Sequence, residues 1–84
     1  MKHFAAPEFW YHYRRLPNAI RLVADKNFTL MKTDPNHPSL RLKKVGRYWS
    51  VRVGLSNRAL ARQRPEGFVW FWIGPHSEYD SLIS

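Results

Sequence analysis

Apolar residues recur at helical spacing in the first part of the chain and at alternate positions afterwards, so the pattern predicts helices followed by strands. Pro7 suits the first turn of a helix, and Phe9, Tyr13 and Leu16 follow at helical spacing, with Trp10 widening the stripe. Leu16 and Pro17 break that run. Pro17 is tolerated at the start of a second helix, in which Ile20, Val23, Ala24, Asn27, Leu30 and Met31 form a one-sided stripe. Asp34, Pro35, Asn36, His37 and Pro38 make a turn-rich stretch that no helix crosses, which predicts a helical hairpin.

From Leu40 the period changes to two: Leu40 and Leu42 alternate with Arg41 and Lys43, and Gly46 marks a turn into a strand over Tyr48 to Val53. Trp49, Val51 and Val53 share one face of that strand; Tyr48, Ser50 and Arg52 share the other. Asn57 falls at a predicted turn before a strand over Arg58 to Arg62, and Pro65-Glu66-Gly67 is a further turn. The run from Phe68 to Ile73 is apolar in both phases and reads as a central strand covered on both sides. Strict alternation sends Val69, Phe71 and Ile73 one way and Phe68, Trp70 and Trp72 the other. Ser77 with Asp80 is a capping signal for a short C-terminal helix whose apolar positions are Tyr79, Leu82 and Ile83. The order predicts a single α+β domain over residues 1–84, with an N-terminal helical hairpin packed on one face of a small, mainly antiparallel sheet. Arg52 and Ser50 then look out from the opposite face.

With 84 residues and 44% hydrophobic content, the chain can build one core but not two. The absence of cysteine excludes a disulfide framework, a thiolate metal site and a cysteine nucleophile, and fits an intracellular setting. His3, His12, His37 and His76 show no metal-ligand spacing, so neither a metal nor a cofactor is expected. No secretory signal or membrane-length apolar stretch is present, which points to the cytoplasm and away from a membrane. A formal charge of +8 changes the picture more, because it calls for an anionic partner such as nucleic acid or an acidic protein segment. Its informative part is Lys43, Lys44, Arg52 and Arg58 on the sheet and its edges; Arg14, Arg15 and Arg21 lie on the hairpin. Structural roles stand beside these: a lysine-bearing edge strand resists aggregation, His76 can serve helix entry, and Tyr79 can serve the core. Of the four tryptophans, Trp10 and Trp49 fall on the stripes that meet between hairpin and sheet, leaving Trp70 or Trp72 as base-stacking candidates.

Four segments, taken in order, carry a resemblance. They are Pro7-Glu8-Phe9-Trp10; Asp34-Pro35-Asn36-His37-Pro38-Ser39-Leu40 leading into Leu42-Lys43-Lys44-Val45; Trp49-Ser50-Val51-Arg52-Val53-Gly54 with Arg58-Ala59-Leu60; and Trp70-Phe71-Trp72-Ile73-Gly74-Pro75-His76. Together they resemble the RelE/ParE superfamily of toxins from bacterial type II toxin-antitoxin modules, over nearly the whole chain. The resemblance implies a toxin silenced by a cognate antitoxin in a hetero-oligomeric complex. In the RelE branch it implies metal-independent cleavage of messenger RNA in the ribosomal A site; in the ParE branch, inhibition of DNA gyrase; a third possibility is an attenuated member acting mainly through its antitoxin. One fold serves both branches and does not choose between them. For the ribonuclease, the resemblance implies catalytic roles for Arg58, Arg52, His76 and Tyr79 and RNA-positioning roles for Lys43 and Lys44, to which Trp72 adds the base-stacking candidate read from the aromatic pattern. Ser50 and Gly54 stand where ribonucleases of the family carry further basic residues, so the basic cluster is thinner here.

Overall fold

The computed structural model describes residues 2–84. In chain order these form strand β1 (Lys2–Ala5), helices α1 (Pro7–Arg14) and α2 (Asn18–Thr33), strands β2 (Lys43–Val45), β3 (Tyr48–Val53), β4 (Asn57–Arg64) and β5 (Gly67–Pro75), and helix α3 (His76–Ile83). Pro7 opens α1, where its missing N–H costs nothing, and Pro17 stands just ahead of α2. The five strands form one sheet in the order β1-β5-β4-β3-β2, antiparallel except for β1, which runs parallel to β5. The expected α+β fold is therefore observed, with β4 rather than β5 at the centre.

The hairpin lies on one face of the sheet. Leu16 and Met31 meet Val51, Val53, Ala59, Ala61, Phe68, Trp70 and Ile73 there, with Phe9, Tyr13, Ile20, Val23, Ala24 and Leu30 packed around them. Each large side chain so buried contributes about 1.5–3 kcal/mol, and this layer is the main source of stability. Trp10 departs from expectation: it stays 43% exposed, edge-on to Phe9 and Tyr13, because one turn of α1 cannot turn both Phe9 and Trp10 inward.

Strict alternation fails in β5. Leu60 pairs with Trp72 and Ala61 with Trp70, so Phe71 is an extra residue without a partner in β4. Beyond this β-bulge the phase inverts. Ile73 joins Phe68 and Trp70 beneath the hairpin, whereas Trp72 turns to the other face beside Phe71. That face carries a second, smaller core of Leu60, Trp72 and Tyr79, flanked by Tyr48, Phe71 and Ile83, with α3 as its lid. A strand apolar in both phases is thus covered on both sides, as its composition demands.

Three boundaries also differ from those the sequence predicts. The segment from Leu40 is not a continuous strand, because Arg41 adopts a left-handed conformation (φ 47°) that interrupts the ladder before β2. Asn57 begins β4, and the turn before it starts at Gly54 (φ 64°). Ser77 does not cap α3: the helix begins at His76 after Pro75, and the His76 N–H donates to the Ser56 carbonyl at 2.8 Å.

At the far edge, His3 ties β1 to the core. Its Nδ1 accepts the Trp70 Nε1–H at 3.1 Å, and its ring stacks on Phe68 with centroids 5.5 Å apart. Burial lowers the His3 pKa, helped by the positive amino terminus and Lys32. Below about pH 6.5 the unfolded chain takes up this proton before the folded one does, so folding stability falls as pH drops through that window. Urea unfolding is accordingly expected to give a lower midpoint at about pH 5.5 than at about pH 7.5, with a smaller difference in His3→Phe. An undiminished pH difference in that variant would contradict the assignment.

Candidate functional site

On the face away from the hairpin, register sets the side chains in rows. Lys43 pairs with Ser50, Ser50 with Leu60 and Leu60 with Trp72; in the next row Arg52 pairs with Arg58 and Arg58 with Gly74. Lys44 pairs with Trp49 and so belongs to the hairpin side. The sheet therefore brings Lys43, Arg52 and Arg58 onto one face and separates Lys44 from them.

The Arg52–Arg58 pair occupies one of the closely spaced positions of the ladder. The Arg52 N–H donates to the Leu40 carbonyl at 2.7 Å, and the Arg52 carbonyl accepts the Asn27 Nδ2–H at 3.0 Å. Both backbone groups point away from β4, which makes Arg52 and Arg58 a non-hydrogen-bonded pair, the geometry in which Cα atoms approach to about 4.5 Å. Like charges placed directly opposite in this way are destabilising. No carboxylate relieves them, since His76–Asp80 is the one ion pair among the described residues. Arg58 donates from Nη1 to the Asn57 carbonyl at 2.9 Å and stacks its guanidinium 5.8 Å from the Tyr79 ring centroid. The Nε of Arg52 is buried and has no hydrogen-bond partner among the described residues. A donor of that kind costs free energy until an acceptor reaches it.

Helix α3 adds the remaining candidates. Tyr79 is 5% exposed, packed on Leu60 and Trp72, and presents its ring to Arg58. His76 lies 5.5 Å from the Tyr79 ring, and its Nδ1 stands 3.3 Å from the Asp80 carboxylate. With its side chain 47% exposed, His76 keeps solvent access. Arg52, Arg58, Tyr79 and His76 thus form a contiguous line across β3, β4 and α3. Trp72 is different. It is 5% exposed, its indole lies over Gly74, and His12 sits 6.3 Å away on α1. No open ring face remains for a base, so its role is packing; Trp70, at the hairpin side, is equally enclosed.

Two further arginines join this face without having stood out in the sequence. Arg62 lies over Phe71 at 4.0 Å and Arg47 over Tyr48 at 5.8 Å, extending the positive face along the sheet. The period-two phase of Arg58, Leu60 and Arg62 would have found the first; its aromatic partner depends on the bulge at Phe71. Among the described residues no three His, Asp or Glu side chains come together as a metal site, and no helix is long and apolar enough to cross a membrane.

No protein-family model and no curated protein sequence matches this chain. Solved structures do. The chain superposes with a TM-score of 0.75 on a chain of the RelB-RelE antitoxin-toxin complex from Methanococcus jannaschii, at 14% identity over 96% of this chain and 99% of that one. It also superposes, with a TM-score of 0.61, on a copper-bound mutant toxin from Helicobacter pylori, at 14% identity over 93% and 97% of the two chains. The fold is that of RelE-like toxins.

The packing of Trp72 over Gly74 is directly testable. A Cβ built on Gly74 would stand 2.6 Å from the Trp72 ring, and Gly74 pairs with Arg58. Gly74→Ala must push the indole aside and is expected to cost about 1–3 kcal/mol, read as a lower urea midpoint with altered tryptophan fluorescence. An unchanged midpoint and spectrum would refute the packing.

Proposed function

We propose that this protein is the toxin of a type II toxin-antitoxin module and that, when free, it cleaves messenger RNA in the ribosomal A site. The observation that carries this reading is the Arg52–Arg58 pair: two arginines opposed across the β3–β4 ladder with no carboxylate among the described residues paired to either, Arg58 being steadied by the Asn57 carbonyl and the Tyr79 ring. Such a pair suits an RNA phosphate, whose oxygens accept from arginine forks with charge assistance.

In the proposed reaction a ribose 2′-hydroxyl attacks the adjacent phosphate. The site must then stabilise the negative charge that grows on the phosphate oxygens and move protons to and from the attacking and leaving oxygens. Arg58, held by the Asn57 carbonyl and the Tyr79 ring, is the principal charge stabiliser, and Arg52 offers the second donor. His76 is the proton-transfer group, its imidazole open to solvent beside Tyr79 and held through Nδ1 by the Asp80 carboxylate at 3.3 Å. Tyr79 orients Arg58, and Lys43 on the same face guides the RNA backbone, with Lys44 approaching from the edge. The same positive face would accept an acidic antitoxin segment in the silenced complex, by analogy with the RelB-RelE assembly. The cytoplasm is the setting this role requires.

Toe-printing of a message translated with the purified protein is expected to show new stops at the A site. Arg58→Ala should abolish both those stops and growth inhibition while leaving the circular dichroism unchanged. For RNA binding, Arg52→Ala should reduce the slope of log affinity against log salt by about 0.7 for each phosphate that the variant no longer neutralises. Undiminished toxicity of Arg58→Ala would defeat the assignment, and loss of gyrase supercoiling without A-site stops would replace it with the ParE-type activity.

A further inference from the structure

Asn27 is the one polar side chain on the buried stripe of α2, among Ile20, Val23, Ala24, Leu30 and Met31. Its position follows from a gap in the sheet. The pairing of β2 with β3 reaches only to Lys43↔Ser50, so Arg52 has no strand neighbour on that side. Two groups take the place of the missing strand. Leu40, wholly buried just before the left-handed kink at Arg41, offers its carbonyl to the Arg52 N–H at 2.7 Å. Asn27 Nδ2–H reaches across from the helix layer and donates to the Arg52 carbonyl at 3.0 Å.

From this geometry we infer that Asn27 is a positioning residue for the anion site: by holding the Arg52 backbone from the hairpin side, it aims the Arg52 guanidinium at the place where it faces Arg58. This inference rests on the reading of Arg52 and Arg58 as the phosphate-binding pair. The physical need is specific. At a non-hydrogen-bonded position of β3, neither backbone group of Arg52 can bond to β4, so the ladder itself does not fix this residue. Two like charges at one paired position oppose the approach of β3 and β4 where the site needs them together. The Leu40 and Asn27 bonds are the restraints that counter this effect. Without Asn27, the Arg52 carbonyl would face the apolar interior with no partner, and the strand end would twist until it found one.

The test is a double-mutant cycle in the full chain. Asn27→Leu keeps the size and removes the donor; Asn27→Ala removes the donor with different packing, and both carry the same expectation. Affinity for a short fluorescein-labelled single-stranded RNA should fall about five- to tenfold in either variant, the scale of one supporting hydrogen bond. In an Arg52→Ala background the same substitutions should cause no further loss. A second readout does not involve RNA: the Arg52 Nε–H resonance, buried in the native protein, should exchange with water faster in both Asn27 variants while that of Arg58 changes little. Equal losses of affinity in both backgrounds, or an Arg52 Nε–H whose exchange is unchanged, would overturn the inference. If Arg52→Ala itself leaves RNA binding intact, the phosphate reading has failed, and the exchange measurement alone decides whether Asn27 positions Arg52.

Discussion

Two arginines stand opposite each other across β3 and β4, and the rest of the structure can be understood as what holds them there. The register that makes the pair is fixed from the other side of the sheet, where Val51, Val53, Ala59 and Ala61 are buried beneath the hairpin. A slip of one residue in β3 would carry Val51 and Val53 into solvent and Arg52 into the core, and a slip in β4 would do the same with Ala59, Ala61 and Arg58, so the hydrophobic layer enforces a pairing that electrostatics opposes. Stability on one face thereby sustains a concentrated positive charge on the other. That is the division of labour expected of a sheet covered along one face by the hairpin and only in part along the other by α3, where the open remainder is left for chemistry.

Helix α3 sits at the boundary between these roles. It covers Leu60 and Trp72 with Tyr79 and Ile83, and from the same turn of helix it offers the Tyr79 ring to Arg58 and brings His76 alongside. The bulge at Phe71 makes this possible. By inverting the phase of β5 it turns Trp72 toward α3 and Ile73 toward the hairpin, which gives α3 an apolar floor at the point where Arg58 emerges. Gly74 then has to lack a side chain, because the Trp72 indole occupies that space.

Much of this is legible in the sequence, for identifiable reasons. The helical hairpin follows from one stripe of 3.6-residue period, and β3 from clean alternation with Trp49, Val51 and Val53 on the buried side. The placement of Arg52 on the opposite face follows from the same alternation. What the pattern does not carry is set by tertiary contacts. A bulge leaves no mark in a run of apolar residues, so Ile73 and Trp72 take the faces opposite to those that alternation assigns them. The left-handed turn at Arg41 hides the start of β2 within an alternating stretch. Asn27, an amide on an apolar stripe, makes sense only beside the carbonyl of Arg52 that no strand pairs.

The central claim is that the opposed arginines hold an RNA phosphate, and it can be examined at the atoms concerned. Titration of the ¹⁵N-labelled protein with a short RNA bearing 2′-O-methyl groups, which block the attacking hydroxyl, would report each arginine Nε–H separately. Saturable shifts are expected at Arg52 and Arg58, with those of Arg14 and Arg21 on the hairpin far smaller. Shifts concentrated on the hairpin arginines, with Arg52 and Arg58 unmoved, would contradict the claim.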